Sequence, residues 1–310
     1  MGTAKIFFRL ISGALLGVLI FSASVVAVAE ELAFQSYKEV ETLFQQQGYT
    51  VDAWQKGIRK VPRIYLSNIP SRWKNKYSKE ISTANKKRLF FRLLGPAVLR
   101  SNELILADRS RLEAMVAKDS RNSADTAWLL GLAKQYKIVN GASVDNLGIE
   151  QLAELRTRVD IIPPSLVLAQ AANESGWGTS RFADLGNALF GQWTYGGDGI
   201  PPREKRTGKG DYGIASFESP IDSVRAYMLN LNTHPTYAEL RERRAVLRNQ
   251  GNEPTGLALV DTLVDYSERG QAYVDEIREM IHYNHLEATD QAFLADEAPI
   301  ILVPAGAGAN

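Results

Sequence analysis

The chain has 310 residues, 45% of them hydrophobic, a formal net charge of +1 and no cysteine. The missing thiols exclude a disulfide framework and a thiolate metal site, so the fold must rest on its apolar core. Charge balances only on average: residues 56–121 carry 17 Lys and Arg against 5 Asp and Glu, whereas residues 122–310 carry 16 against 25. A surface of one sign concentrates counter-charged partners such as an anionic polymer or a membrane, although such a run is also the ordinary dress of a solvated face.

Lys5 and Arg9 precede an apolar run from Leu10 to Val28 that ends in Ala27-Val28-Ala29. A basic start, an apolar centre and small residues at the cleavage positions read as a cleavable export signal over residues 1–29. Left uncleaved, the same run is long enough to anchor the chain in a membrane. Residues 30–57 form a polar amphipathic stretch with Phe34, Tyr37, Leu43 and Phe44, which reads as a helix. VPRIYLSNIPSRW, from Val61 to Trp73, is bracketed by prolines and reads as extended chain. Leu89 to Arg111 is rich in apolar residues, with Gly95-Pro96 expected to break the helix. Helical patterns follow over Ser123–Tyr136 and Ile149–Arg158.

Pro163 and Pro164 suit the first turn of the next helix, whose Leu166, Ala169 and Asn173 share one face. Gly176 or Gly178 should end it, which leaves Glu174 in the last turn. Unpaired carbonyls make that end negative and disfavour a second negative charge. Trp177 folded over the carboxyl would add desolvation, and both effects favour the protonated form that a glycosidase uses as its acid. An exposed glutamate at a helix end is the competing reading.

Beyond this helix, Gly196-Gly197-Asp198-Gly199, Pro201-Pro202 and a turn over Thr207–Asp211 mark a β-hairpin lobe with Tyr212–Phe217 as its second strand. Ser219-Pro220 opens a helix with Asp222 in capping position. Helical patterns continue over Tyr237–Arg248, Leu257–Tyr266 and Tyr273–Leu286, and residues 291–310 read as a disordered tail. His282, His285 and Glu287 could approach a zinc site, but the i, i+3 histidine spacing does not match the helical zinc motif, so no metal is expected.

Four segments carry a specific pattern: Val159–Ala183 (VDxIPxSLxLAQAANESGWGTSRFA), Asn187–Trp193 (NxLFGQW), Phe217–Tyr237 (FxSPxxSVxxYxxNLNTHPxY) and Tyr266–Ile281 (YSExGxxYVxxIxxMI). The chain resembles the glucosaminidase family of peptidoglycan hydrolases, which includes the flagellar peptidoglycan hydrolase. The resemblance extends to VPRIYL and KKRLFFRLLGPAVLRSNELILADR in the basic region, and so covers most of the mature chain.

The resemblance implies an α+β, mainly α fold: a lysozyme-like helical domain over residues 123–290 with a small β-hairpin lobe, and a basic helical and extended segment over 30–122 packed on it. It implies an enzyme that needs no cofactor and cleaves peptidoglycan glycan strands after N-acetylglucosamine, and the export signal adds a periplasmic location, with no nucleic-acid partner and membrane contact only through an uncleaved signal. A muramidase, a lytic transglycosylase and a non-catalytic wall-binding scaffold are the alternatives. By position Glu174 matches the catalytic acid, and Tyr266 the tyrosine that lines the cleft. Trp177, Phe190, Trp193 and Asn187 fall at substrate-binding positions.

Glycoside hydrolysis commonly uses a second carboxylate. The lobe offers Asp198, Glu204, Asp211 and Glu218, of which Glu204 is preferred because Arg203, Lys205 and Arg206 would keep it ionised. Otherwise the 2-acetamido group of the substrate could serve as the nucleophile.

Overall fold

The computed structural model describes residues 29–118, 120–139, 147–195, 197, 199–203 and 211–306, so the export signal, Asp198, Glu204 and most of the Thr207–Asp211 turn lie outside the described residues. In chain order the elements are β1 (Glu30–Phe34), α1 (Tyr37–Gln46), α2 (Val51–Gln55), β2 (Lys60–Val61), β3 (Ile64–Leu66), α3 (Ser78–Glu80), α4 (Thr83–Val116), α5 (Ser123–Gln135), α6 (Ile149–Arg158) and α7 (Pro164–Ser175). They continue with α8 (Arg181–Gly186), β4 (Trp193–Tyr195), β5 (Tyr212–Ile214), α9 (Pro220–Thr233), α10 (Ala238–Asn249), α11 (Gly256–Leu259), α12 (Gln271–Tyr283), β6 (Phe293–Leu294) and β7 (Ile300–Pro304). The fold is α+β and mainly α, as expected.

Helix α7 is the centre of the molecule. Ten of its residues are buried, including Leu166, Val167, Leu168 and Ala169, and it packs against α4, α11, α12 and the 3₁₀ turn Leu286–Gln291. A helix whose apolar residues cover most of its circumference belongs inside a core. Its start is held by Asp290, whose carboxylate accepts from Ser165 N and Oγ at 2.8 Å each and from Gly256 N at 3.0 Å. An acidic group beside free N–H groups at a helix start is favourable. Where α11 crosses α7, a Cβ on Gly256 would stand 2.1 Å from Ser165 Oγ, so this crossing requires glycine.

One apolar core runs from Phe34, Phe44 and Trp73 through α4 and α7 to Ile281 and Leu302, so the basic N-terminal segment and the Glu174 helix share their interior. A second cluster joins the end of α4 (Leu112, Met115) to α5 and α6 (Leu129, Leu132, Leu152, Leu155). Buried Asp160 fastens the two regions, with Arg248 bonded to its carboxylate at 3.1 and 3.2 Å and Arg244 to its carbonyl at 3.1 Å. Burial alone would raise the Asp160 pKa, but Arg244, Arg248 and Arg109 together hold it below the ordinary aspartate value.

Three expectations are corrected. Residues 30–57 are not one helix: Glu30–Phe34 is a strand, followed by α1 and α2. Gly95-Pro96 does not break α4, which runs through both residues. Both are buried there, so tertiary packing outweighs the one intrahelical bond that proline forfeits. The tail is not disordered over 291–306. β6 pairs in parallel with β2, and β7 lies between β1 and β3, in parallel with both. IILVP carries no charge, which suits a strand with neighbours on both edges.

Removing residues 299–310 should therefore lower the thermal unfolding midpoint by roughly 5 °C or more, since β1 and β3 would lose their shared partner. An unchanged midpoint would show that the strand contributes nothing.

Candidate active site

The ESGWG segment builds a chain reversal at the end of α7. Gly176, Trp177 and Gly178 have φ values of 56°, 63° and 74°, three consecutive residues in the left-handed region. Two glycines take up that conformation without strain, whereas Trp177 must be held in it. Ser175 locks the turn: its Oγ donates to Ala171 O at 2.6 Å and accepts from Gly178 N at 2.8 Å. A Cβ on Gly178 would lie 3.3 Å from Trp73 Nε1 and 3.4 Å from the Phe90 ring, so this position favours glycine on two grounds.

The reversal sends Trp177 toward α4 while Glu174 faces α12. The indole meets Phe90 and Phe91 edge-on, with centroids 5.9 and 5.1 Å apart, and carries the Lys87 ammonium 4.8 Å above its ring. This corrects the expectation that Trp177 covers the carboxyl.

Glu174 is half-buried and ends a hydrogen-bond chain. Tyr227 Oη donates to Gln170 Oε1, Gln170 Nε2 donates to Tyr273 Oη at 2.8 Å, and Tyr273 Oη donates to Glu174 Oε1 at 2.8 Å. Gln170, Tyr227 and Tyr273 are at most 2% exposed, so their directions are fixed by packing as well as by polarity. Burial pushes the Glu174 pKa up, the Tyr273 hydrogen bond opposes this, the charge of Glu276 adds to it and Arg269 opposes it. Glu276 and Arg269 are themselves an ion pair.

Tyr266 closes one side of the site. It stacks on Tyr273 at 5.3 Å and 12°, and its ring centroid lies 5.9 Å from that of Tyr237 and 6.5 Å from that of Tyr227. Burial raises the pKa of Tyr227, Tyr237, Tyr266 and Tyr273, and the Glu174 charge raises each of them further. The environment that desolvates the acid is thus a cluster of protonated tyrosines.

The remaining sequence-derived residues divide. Phe190 is 4% exposed and stacks on Tyr227 at 3.9 Å and 10°, so it supports the relay from behind and presents no face to a sugar. Asn187 also differs from its expected substrate-binding role. It adopts a φ of 52° at the end of α8, accepts from Ile69 N at 2.8 Å, and donates to the carbonyls of Phe217 and Glu218 at 3.0 and 3.1 Å. Its amide is fully used in joining the lobe to the body.

Trp193 is 53% exposed on the lobe, with Tyr212 behind it at 4.9 Å. Tyr195, two residues on and on the same strand face, is 71% exposed. Of the candidate bases, Glu204 and Asp198 lie outside the described residues, while Asp211 and Glu218 are exposed on the lobe. His282, weighed for zinc, pairs through Nδ1 with Glu287 at 2.7 Å.

Sequence reading missed Gln170, Tyr273, Tyr227 and Tyr195. Gln170 had a signal: a lone amide in the apolar run LVLAQAA, four residues before Glu174 and therefore on its face. Tyr227 and Tyr273 lie on helices distant in sequence and stood only as letters of the family-like patterns, and Tyr195, on the lobe strand, had no signal.

Compared with known proteins, residues 149–286 match the profile of the glucosaminidase family, described as mannosyl-glycoprotein endo-β-N-acetylglucosaminidase. The matched span holds Glu174 and its whole hydrogen-bond relay. Residues 149–286 form a glucosaminidase-family domain. The chain is also 37% identical over 190 residues to protein bax of Escherichia coli (strain K12), an alignment that takes in 61% of this chain and 66% of that protein. No solved structure matches at a significant level.

Replacing Tyr273 with Phe removes the bond that lowers the Glu174 pKa and deprives the buried Gln170 amide of its acceptor. The apparent pKa of Glu174 should move up, and the variant should lose about 1–3 kcal/mol of stability. A pH titration of Glu174 together with denaturant unfolding checks both, and a downward shift would contradict the relay.

Proposed function

We propose that this domain is a peptidoglycan hydrolase that cleaves the glycan strand after N-acetylglucosamine, with Glu174 as general acid. The observation that carries the reading is a half-buried carboxyl with a raised pKa, oriented by a buried relay inside a glucosaminidase-family domain. The relay also selects the reacting oxygen. Because Tyr273 donates to Oε1, the acidic proton belongs on Oε2, from which it can pass to the departing glycosidic oxygen. Burial favours the protonated form, which is the form a general acid requires.

Trp193 and Tyr195 supply exposed rings on the lobe against which the weakly apolar face of a pyranose can lie. Tyr266, beside the acid, lines the adjacent subsite. The attacking group is either a water activated by Glu204 or the substrate's 2-acetamido group, steadied by Tyr266. Inhibition by a thiazoline analogue with an active Glu204→Gln variant marks the second route, and the opposite pair of results marks the first. The basic leader followed by Ala27-Val28-Ala29 supports export to the periplasm, where this polymer lies.

Zymography on purified sacculi tests the acid. Glu174→Gln, which retains the acceptor for Tyr273, should lower turnover by about 10²-fold or more. Clearing equal to wild type would remove Glu174 from the mechanism, and no clearing by wild type would favour a scaffold role. Mass spectrometry should find reducing N-acetylglucosamine ends, whereas anhydromuramic ends would identify a transglycosylase.

A further inference from the structure

A cavity of about 800 Å³ opens on the α4 side of α7, apart from the Glu174 site. Its walls come from α2, the first half of α4, the start of α7 and the chain that follows α12. None of Glu174, Gln170, Tyr227, Tyr266 or Tyr273 lines it. This volume lies within the range of pockets that enclose a small organic ligand.

The wall has one sign of charge. Arg59, Lys87, Arg88 and Arg92 line the cavity, and among the described residues no Asp or Glu does. Among the described residues none of the four forms a salt bridge; Glu41 is the carboxylate whose charge reaches Arg92. Each is instead held by neutral groups. Lys87 lies 4.8 Å from the rings of both Trp177 and Tyr283, Arg92 lies over Phe44 and Tyr49 at 4.5 and 4.6 Å, and Arg59 lies over Trp54 at 4.5 Å. Arg88 donates to Asn85 Oδ1 at 2.7 Å.

Arg92 Nη2 and Arg59 Nε are buried and bonded to nothing among the described residues, while Arg59 Nη1 donates to the Trp54 carbonyl at 2.7 Å. Burial lowers the Arg92 pKa, with Tyr49 opposing and Arg88 adding to the shift. A buried guanidinium N–H without an acceptor is costly, and the donors of the group form a fork suited to a carboxylate or phosphate. The rest of the wall, including Phe91, Leu99, Leu168 and Leu286, is apolar.

We propose that this cavity binds an amphipathic anion: a carboxylate or phosphate head held by Arg59, Arg88 and Arg92, with an apolar chain along α4 and α7. The basic surplus of residues 56–121 then has a local purpose in addition to any surface field, because all four cations belong to that segment.

Isothermal titration of the full chain with decanoate, decyl phosphate and decanol tests this. At least one of the two anions should bind saturably at one per chain, with decanol at least roughly tenfold weaker, and the tighter anion identifies the head group. Arg88→Gln should weaken the anion by roughly tenfold, as expected for a lost charged hydrogen bond. Lys86→Gln, an equal loss of charge beside the cavity but outside its wall, should leave binding unchanged. Absence of saturable binding by both anions, decanol binding as tightly, or equal effects of the two substitutions would overturn the proposal.

Discussion

The structure depends on the burial of α7, ten of whose twelve residues are inside. A helix enclosed by α4, α11, α12 and the Leu286–Gln291 turn must satisfy its ends without water, and each end is handled by a specific device. Asp290 caps its start and fastens α11 to it; at its other end, three left-handed residues and Ser175 reverse the chain within one turn. Because the reversal is tight, the last polar residues of the helix remain inside the protein. Glu174 is half-buried for that reason.

That placement makes the carboxyl chemically unusual. Solvent would leave a glutamate ionised at neutral pH, whereas burial among tyrosines raises its pKa and a single donor from Tyr273 restrains the rise. The relay through Gln170 to Tyr227 reaches the stacked pair formed with Phe190, so acid orientation and core packing are one arrangement. On the opposite face of α7, the same N-terminal segment that completes the core supplies cations to a separate cavity.

Local features were legible in the sequence. Helices α5 to α7 and α9 follow their apolar periodicity, and Gly176 ends α7 where glycine in a helical pattern predicts it. What was illegible is what depends on distant partners. Residues 30–34 read as helix because their partner, β7, read as a tail; neither strand has meaning without the other. Pro96 read as a break because the packing that carries α4 through it comes from elsewhere in the chain. Within the candidate site, the place of Glu174 at a helix end was legible, but the direction of Trp177 was not, since it depends on backbone angles rarely taken by tryptophan. Asn187 and Phe190 were read as substrate-binding positions, whereas their contacts hold the lobe and the relay in place.

The central claim is that Glu174 is a half-buried acid whose surroundings favour its protonated form. Carbon-13 NMR of the selectively labelled Glu174 carboxyl, followed through a pH titration of the folded protein, measures this directly. The account predicts a midpoint clearly above that of an ordinary glutamate, with the resonance absent from the titration of Glu174→Gln. A midpoint at or below the ordinary value would contradict it.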